Sequence, residues 1–210
     1  MLKNFFILTI LLTSCSVHLK EGDLLFQKVQ CGSFCEAIEK VTPDYKGKHY
    51  SHVGIIIKKN NNLTVLEAIS KGVCLTDIDT FFARSGYKDI MIGRITCNYK
   101  KFNFNELNQY IGKPYDSVFD INNSAYYCSE LVYLIYKDCS GKNLFKLSPM
   151  TFKDPETGTF FTPWVEYFSS MNVDIPEGKP GINPGAIMNS KCLKVFSFEK
   201  VCCKHRLPKF

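Results

Sequence analysis

The chain has 210 residues, 45% of them apolar and 14% aromatic, with 26 basic against 20 acidic side chains and a net charge of +6. This supply of Phe, Tyr, Ile and Leu excludes a disordered chain and suits one globular domain with elaborations. The positive excess is modest, and the share of it in the C-terminal KVCCKHRLPKF reads as solvated surface rather than as a nucleic-acid footprint.

The chain opens with MLKNFFILTILLTSCS, in which Lys3 precedes an apolar run from Phe5 to Leu12 and then small residues. This is the layout of a secretory leader, too short to span a bilayer in the mature protein. Leu12 to Cys15, LTSC, resembles a bacterial lipobox, in which the cut falls before the cysteine and the cysteine carries lipid. The expectation is a lipoprotein signal peptide over 1–14, a lipidated tether over 15–20 anchored at Cys15, a folded domain over 21–199 and a basic tail over 200–210. An ordinary leader with an incidental cysteine is the competing reading. Loss of Lys3 leaves 25 basic against 20 acidic side chains, near +5. An exported chain has little access to nucleic acid, so none is expected as a partner.

EGDLLFQ, over 21–27, reads as a short strand. GSFCEAIEKVT, over 32–42, reads as a helix with Ser33 as N-cap and Glu36 at capping-box spacing. SHVGIIIKK and LTVLEAIS flank the turn Asn60–Asn62 and read as a β-hairpin. GVCLTDI and DIMIGRIT are further strands, separated by a short helix at DTFFARSG. NFNELNQYIGKPYD reads as a helix ending at Gly112 and Pro114, and a second apolar helix runs from Cys128 until Gly141 stops it. The aromatic, Pro-broken stretch SPMTFKDPETGTFFTPWVEYF fits loops and short helices. INPGAIMNS fits a helical turn, and KVFSFEK a last strand. A helix, an antiparallel sheet and then the Cys128 helix make α+β the natural class.

Ten cysteines complicate the reading of Cys128. Besides it and Cys15 there are Cys31, Cys35, Cys74, Cys97, Cys139, Cys192, Cys202 and Cys203. An exported chain oxidises some of these, but spacing does not give the pairing. Cys31 and Cys35 lack a matching CxxC and His205 lacks a partner at zinc-site spacing, so a structural zinc is only weakly signalled and no metal site is assigned. Cys139 falls near a helix C-terminus, where the dipole disfavours a thiolate, and is a structural or disulfide candidate.

Cys128 shares a helical face with Leu131, Leu134 and Ile135. It stands at a helix N-terminus, whose partial positive charge and free N–H groups favour a thiolate and can receive an oxyanion. An apolar face produces a merely packed cysteine just as readily. A nucleophilic thiol needs a base, and His52 opens a strand in which Gly54 allows another backbone to come close. His18 lies near the anchor, His49 in the polar GKHYS and His205 in the tail. The hairpin brings Glu67 toward the level of His52, where a carboxylate would orient the imidazole. In VLEAI such a carboxylate is costly unless paired. A strand-end histidine bonded to solvent and an edge-strand glutamate facing water are the bland alternatives.

GDLLFQ, YSHVGIII, LEAI, IGKPYD, YCSELVY and, more weakly, INPGAI occur in that order. They resemble the permuted papain-like cysteine amidases typified by the YiiX and YaeF proteins, relatives of the NlpC-type cell-wall peptidases. The likeness runs from Gly22 to Ile187, with the histidine strand ahead of the cysteine as in the permuted group. It implies an α+β papain-like fold, circularly permuted from the NlpC type, with an antiparallel sheet packed against the nucleophile helix. It also implies Cys128 as nucleophile, His52 as base, Glu67 as orienter and no cofactor. Tyr115 of GKPYD matches a family tyrosine whose hydroxyl donates to the oxyanion or substrate, with a packed tyrosine as the alternative. Asp23 matches a position that supports strand and turn, and Gln27, within reach of the site, is assigned no role. With the leader, the resemblance implies an anchored hydrolase of the bacterial cell envelope. It would cleave peptide or small amides, peptidoglycan fragments among them, through a thioester acyl-enzyme. The rivals are a lipid-directed acyl hydrolase or acyltransferase, with Phe152 to Phe168 lining an acyl groove, and a non-catalytic ligand-binding lipoprotein of the envelope.

Overall fold

Period-two runs of Ile, Val and Leu build the sheet that organises the molecule. The computed structural model describes residues 18–29, 32–87 and 89–198. The leader with Cys15, together with Cys31, Cys202, Cys203 and the rest of the tail 200–210, lies outside the described residues. In chain order the elements are β1 (Asp23–Gln27), α1 (Ser33–Val41), β2 (His52–Lys59), β3 (Asn62–Ile69), β4 (Gly72–Thr76), α2 (Ile78–Ala83), β5 (Ile90–Ile95), α3 (Phe104–Leu107), α4 (Cys128–Ile135), β6 (Ser148–Pro149), α5 (Thr162–Ser170), β7 (Pro180–Gly181), α6 (Pro184–Met188) and β8 (Leu193–Ser197).

Six strands form one antiparallel sheet in the order β4-β3-β2-β1-β5-β8. The β2–β3 hairpin turns on Asn60 and Asn61, both at positive φ (49° and 65°), which matches the twist of the flanking strands. Alternation splits the strands between two cores. Leu24, Phe26, Val53, Ile55, Ile57 and Leu66 face Leu131, Val132 and Ile135 of α4. Leu25, Ile56, Val65, Ile90 and Ile92 face Phe81 and Phe82 of α2. Full burial of each such side chain is worth about 2 kcal/mol relative to exposure. A third cluster, Ala37, Phe152, Trp164 and Phe168, joins α1 to α5. The Cys97–Cys192 disulfide ties the end of β5 to the start of β8, and Cys35 is also disulfide-bonded.

Local structure departs from the sequence expectation at several places. Gly32, not Ser33, caps α1: its left-handed backbone (φ 71°) turns the chain one residue earlier and Glu36 N–H donates to its carbonyl at 3.2 Å. The helix expected up to Gly112 stops at Leu107, although Asn103 and Glu106 form a capping box at its start. Its continuation pairs with β4 instead, Gly112 N–H donating to Val73 O and Val73 N–H to Lys113 O, each at 2.8 Å. Gly72 permits this approach, since a Cβ there would lie 2.4 Å from Lys113 O. The Cys128 helix ends at Ile135 rather than near Gly141, because Tyr136 turns extended and anchors its hydroxyl on Gly22 O at 2.9 Å. The chain beyond it is bonded elsewhere, Lys100 N–H donating to Lys137 O at 2.8 Å. Cys139, a disulfide candidate in sequence, is an exposed free thiol.

Candidate active site

Cys128 is the first residue of α4, behind Tyr127 in extended conformation. The first-turn N–H groups have no intrahelical acceptor, so positive potential converges on the sulfur. The turn is fixed from both sides by one residue of the β7–α6 link. Ile182 N–H donates to Tyr127 Oη at 3.2 Å, and Ser129 Oγ donates to Ile182 O at 2.9 Å. Glu130 Oε2 accepts the Tyr127 N–H at 3.2 Å.

His52 is the first residue of β2, at the end of the sheet, where its ring meets groups from both faces. Its Nε2 bonds Glu67 Oε2 at 2.6 Å, which leaves Nδ1 for the Cys128 thiol. The register that pairs Ile55 with Leu66 continues to set Glu67 opposite Gly54, diagonal to His52. Gly54 serves side chains here, not the close backbone expected from sequence. A Cβ would meet Val65 Cγ1 at 2.4 Å and Phe81 Cε2 at 3.0 Å.

Glu67 is fully buried on an interior strand, so it is not an edge residue facing water. Arg84 Nη2 reaches both its carboxylate oxygens at 2.6 Å, and Thr76 Oγ1 donates to Oε1. Sequence reasoning missed Arg84 and Thr76. They arrive from α2 and β4, and no local spacing announces them.

The electrostatics follow from this packing. For Glu67, burial is the largest influence and raises the pKa, yet the His52, Arg84 and Thr76 contacts outweigh it and bring it down to about 2. For His52, burial pushes down most strongly, and Cys128 and Glu67 together lift it to about 9. For Cys128, burial raises the pKa, and His52, the Val53 backbone and Ser129 override it, leaving the thiol below its ordinary value. These shifts favour a thiolate–imidazolium pair backed by a carboxylate. Cys128 and His52 are each 8% exposed, enough for a small reagent to reach.

Cys128 opens onto a cleft of about 240 Å³ between α4 and the α1–α5 cluster. Tyr115, Phe119, Phe152 and Trp164 line it, with Ser51 and Asn183 among the polar residues. Burial first, then the charge of Cys128, raises the Tyr115 hydroxyl well above its usual value, so it remains a proton donor at the cleft. The remaining sequence candidates sit elsewhere. Asp23 pairs with Arg94 at 2.7 Å and accepts Lys20 N–H at 2.8 Å, so it holds the strand and turn. Gln27 Nε2 donates to Phe81 O at 3.0 Å, and His49 Nδ1 lies 2.9 Å from Thr42 O. Among the described residues, no three His, Cys, Asp or Glu side chains converge as metal ligands.

Comparison with known proteins places the chain in a family. Residues 18–197 match the family described as permuted papain-like amidase enzyme, YaeF/YiiX, C92 family. An uncharacterized protein of Escherichia coli K12, YiiX, is 29% identical over 124 residues, spanning 57% of this chain and 58% of that protein. The crystal structure of a protein described as metalloprotein YiiX from Escherichia coli O157:H7 superposes with a TM-score of 0.65 at 22% identity, over 85% of this chain and 96% of that one. At that identity the likeness establishes the fold, and the family match establishes membership: the chain belongs to the permuted papain-like amidase family of the YaeF/YiiX type.

Proposed function

We propose that this protein is an exported, lipid-anchored amidase in which Cys128, His52 and Glu67 form the catalytic triad. The observation that carries the reading is the continuous contact from the thiol at the α4 N-terminus through His52 to the buried, ionised Glu67. The Cys128 thiolate attacks the amide carbonyl, and the carbonyl π electrons move onto oxygen. The Cys128 N–H and the Tyr115 hydroxyl donate to that oxyanion. As the tetrahedral adduct collapses, the C–N bond breaks and His52 gives its proton to the leaving nitrogen, producing a thioester. His52 then takes a proton from water, hydroxide adds to the thioester carbonyl, and the acid leaves with the thiolate restored. Glu67 keeps the imidazole oriented throughout, and no step passes through a metal.

The leader and the LTSC motif support export and anchoring at Cys15, and the Cys97–Cys192 disulfide suits an oxidising compartment. The envelope then supplies the substrate class, amide bonds of cell-wall peptides or related small amides. One observation favours a second reading: Phe152 and Trp164 line the cleft beside Cys128, as an acyl groove for lipid substrates requires. Turnover measured on peptide amides, N-acyl amides, phospholipids and acyl esters separates the two.

The catalytic assignment is tested with Cys128→Ala and His52→Ala, each expected to lose about a thousandfold or more in turnover. Iodoacetamide should alkylate Cys128 quickly at pH 5–6, where a free thiol of pKa about 8.5 is protonated. Full turnover in either variant, or a thiol that reacts no faster than a free one, sinks the assignment.

A further inference from the structure

Asn183 stands at the cleft with a hydrogen-bond donor that the fold does not use. As the N-cap of α6 its Oδ1 accepts Ala186 N–H at 2.8 Å. This fixes the carboxamide, because only the oxygen can accept from an N–H. Nδ2 is left without a protein partner among the described residues, and it is not a sealed atom. Asn183 lines the same cleft as Cys128.

Its position relative to the thiol is set by short, direct connections. The preceding residue, Ile182, is hydrogen-bonded to Tyr127 and to Ser129, the two neighbours of Cys128. The following Pro184 and Gly185 hold α6 down: a Cβ on Gly185 would lie 2.0 Å from Pro43 O, so only glycine lets α6 pack there. The donor is therefore carried on a rigid mount in the cleft that the thiol also lines. The chemistry around it is equally specific. None of the residues lining the cleft is Asp, Glu, Lys or Arg. Polar recognition there falls to neutral groups, and Asn183 Nδ2 is the carboxamide donor among them.

We propose that Asn183 is a substrate-positioning residue that donates from Nδ2 to a second, uncleaved carbonyl of the substrate, adjacent to the scissile one. The substrate class follows. It carries two neighbouring carbonyls, as in a peptide or an N-acyl amino acid amide, and the portion seated in the cleft is uncharged. A simple fatty acyl ester, with one carbonyl, leaves Asn183 unused. This proposal rests on the catalytic reading above and narrows it.

The test uses two neutral chloromethyl ketones that lose chloride to the Cys128 thiolate: N-acetyl-phenylalanyl chloromethyl ketone, and its counterpart without the acetamido group. Iodoacetamide reports the intrinsic reactivity of the thiol. Asn183→Gly removes the carboxamide with little cost to a helix N-cap, and Asn183→Asp keeps a side-chain oxygen for the Ala186 N–H; neither retains the donor. The wild type should react about tenfold faster with the acetamido reagent than with its counterpart, the worth of one neutral hydrogen bond. In both variants that preference, a ratio of two rates, should disappear; in Asn183→Gly, which adds no charge to the cleft, the iodoacetamide rate and the melting temperature should also stay unchanged. A wild type without the preference overturns the proposal. So does a preference that persists in the variants, or one that falls in Asn183→Gly together with the iodoacetamide rate and the melting temperature, which marks a purely structural asparagine. If wild-type Cys128 reacts with iodoacetamide no faster than a free thiol, the catalytic reading fails first and takes this one with it.

Discussion

Glu67 keeps its charge in a fully buried position, and Arg84 is the reason that can be tested. An unpaired carboxylate there would take up a proton instead. The pKa of Glu67 is depressed from 4.5 to about 2, so its stabilisation is present above 4.5 and lost as pH falls toward 2. The pKa of His52 is raised from 6.5 to about 9, so its contribution is full below 6.5 and lost as pH rises through about 9. Both are complete between pH 4.5 and 6.5. Arg84→Met should destabilise by about 3 kcal/mol, as when one partner of a buried ion pair is removed. It should also move acid unfolding to higher pH, read as melting temperature from pH 3 to 8; an unmoved acid limb would show that His52 and Thr76 suffice. Glu130 is the opposite case. Burial, first, and then the charges of Asp116 and Asp120 outweigh the Tyr127 N–H and raise it to about 8. Its contribution is full below 4.5 and lost as pH rises through about 8. Glu130→Gln should therefore melt higher than wild type above pH 8 and equally at pH 4; an equal melting temperature above pH 8 counts against a buried neutral acid.

The same site depends on how strands and helices meet, and Gly54 is where that dependence is most exposed. A Cβ at Gly54 would collide with Val65 and press on Phe81, whose ring lies 5.8 Å from that of His52. Gly54→Ala should cost about 1–3 kcal/mol by overpacking. It should also lower turnover by pushing Phe81 toward the imidazole. Chemical denaturation and kcat measured on the same preparation check this, and normal values for both would mean that the sheet absorbs the methyl. Legibility in the sequence divides along similar lines. Strands are readable because β-branched runs alternate and because asparagines, which tolerate the left-handed region, close the two-residue hairpin at Asn60 and Asn61. Cys128, His52 and Glu67 are readable because each stands at an element start or breaks an apolar run. Helix lengths are not, since Gly112 and Tyr136 leave their helices to meet partners far along the chain, Val73 and Gly22. Arg84 and Asn183 are invisible for the same reason. Their roles exist only after α2 and α6 dock.

At the scale of the molecule, the excursion that carries Cys128 leaves the sheet after β5 and returns as β8. All of α3, α4, α5 and α6 lie within it. Cys97 and Cys192 close this excursion with a sequence separation of 95 residues, beside a backbone bond from Thr96 N–H to Cys192 O at 2.8 Å. A cross-link over so long a loop acts mainly on the unfolded chain, which loses conformational freedom. The double substitution Cys97→Ser, Cys192→Ser should therefore lower stability by about 2–4 kcal/mol. The native excursion should change little, because the β5–β8 ladder and the packing of α4 on the sheet hold it without the sulfur bridge. The two effects separate experimentally. Turnover at 25 °C should stay near the wild-type value, while the urea midpoint falls. Adding a reductant should lower the wild-type midpoint more than that of the variant, which retains only the disulfide at Cys35 to lose among the described residues. If instead turnover falls with the midpoint, the bridge holds the native position of the Cys128 excursion as well as restricting the unfolded chain, and the site is built on a covalent frame rather than on the sheet alone.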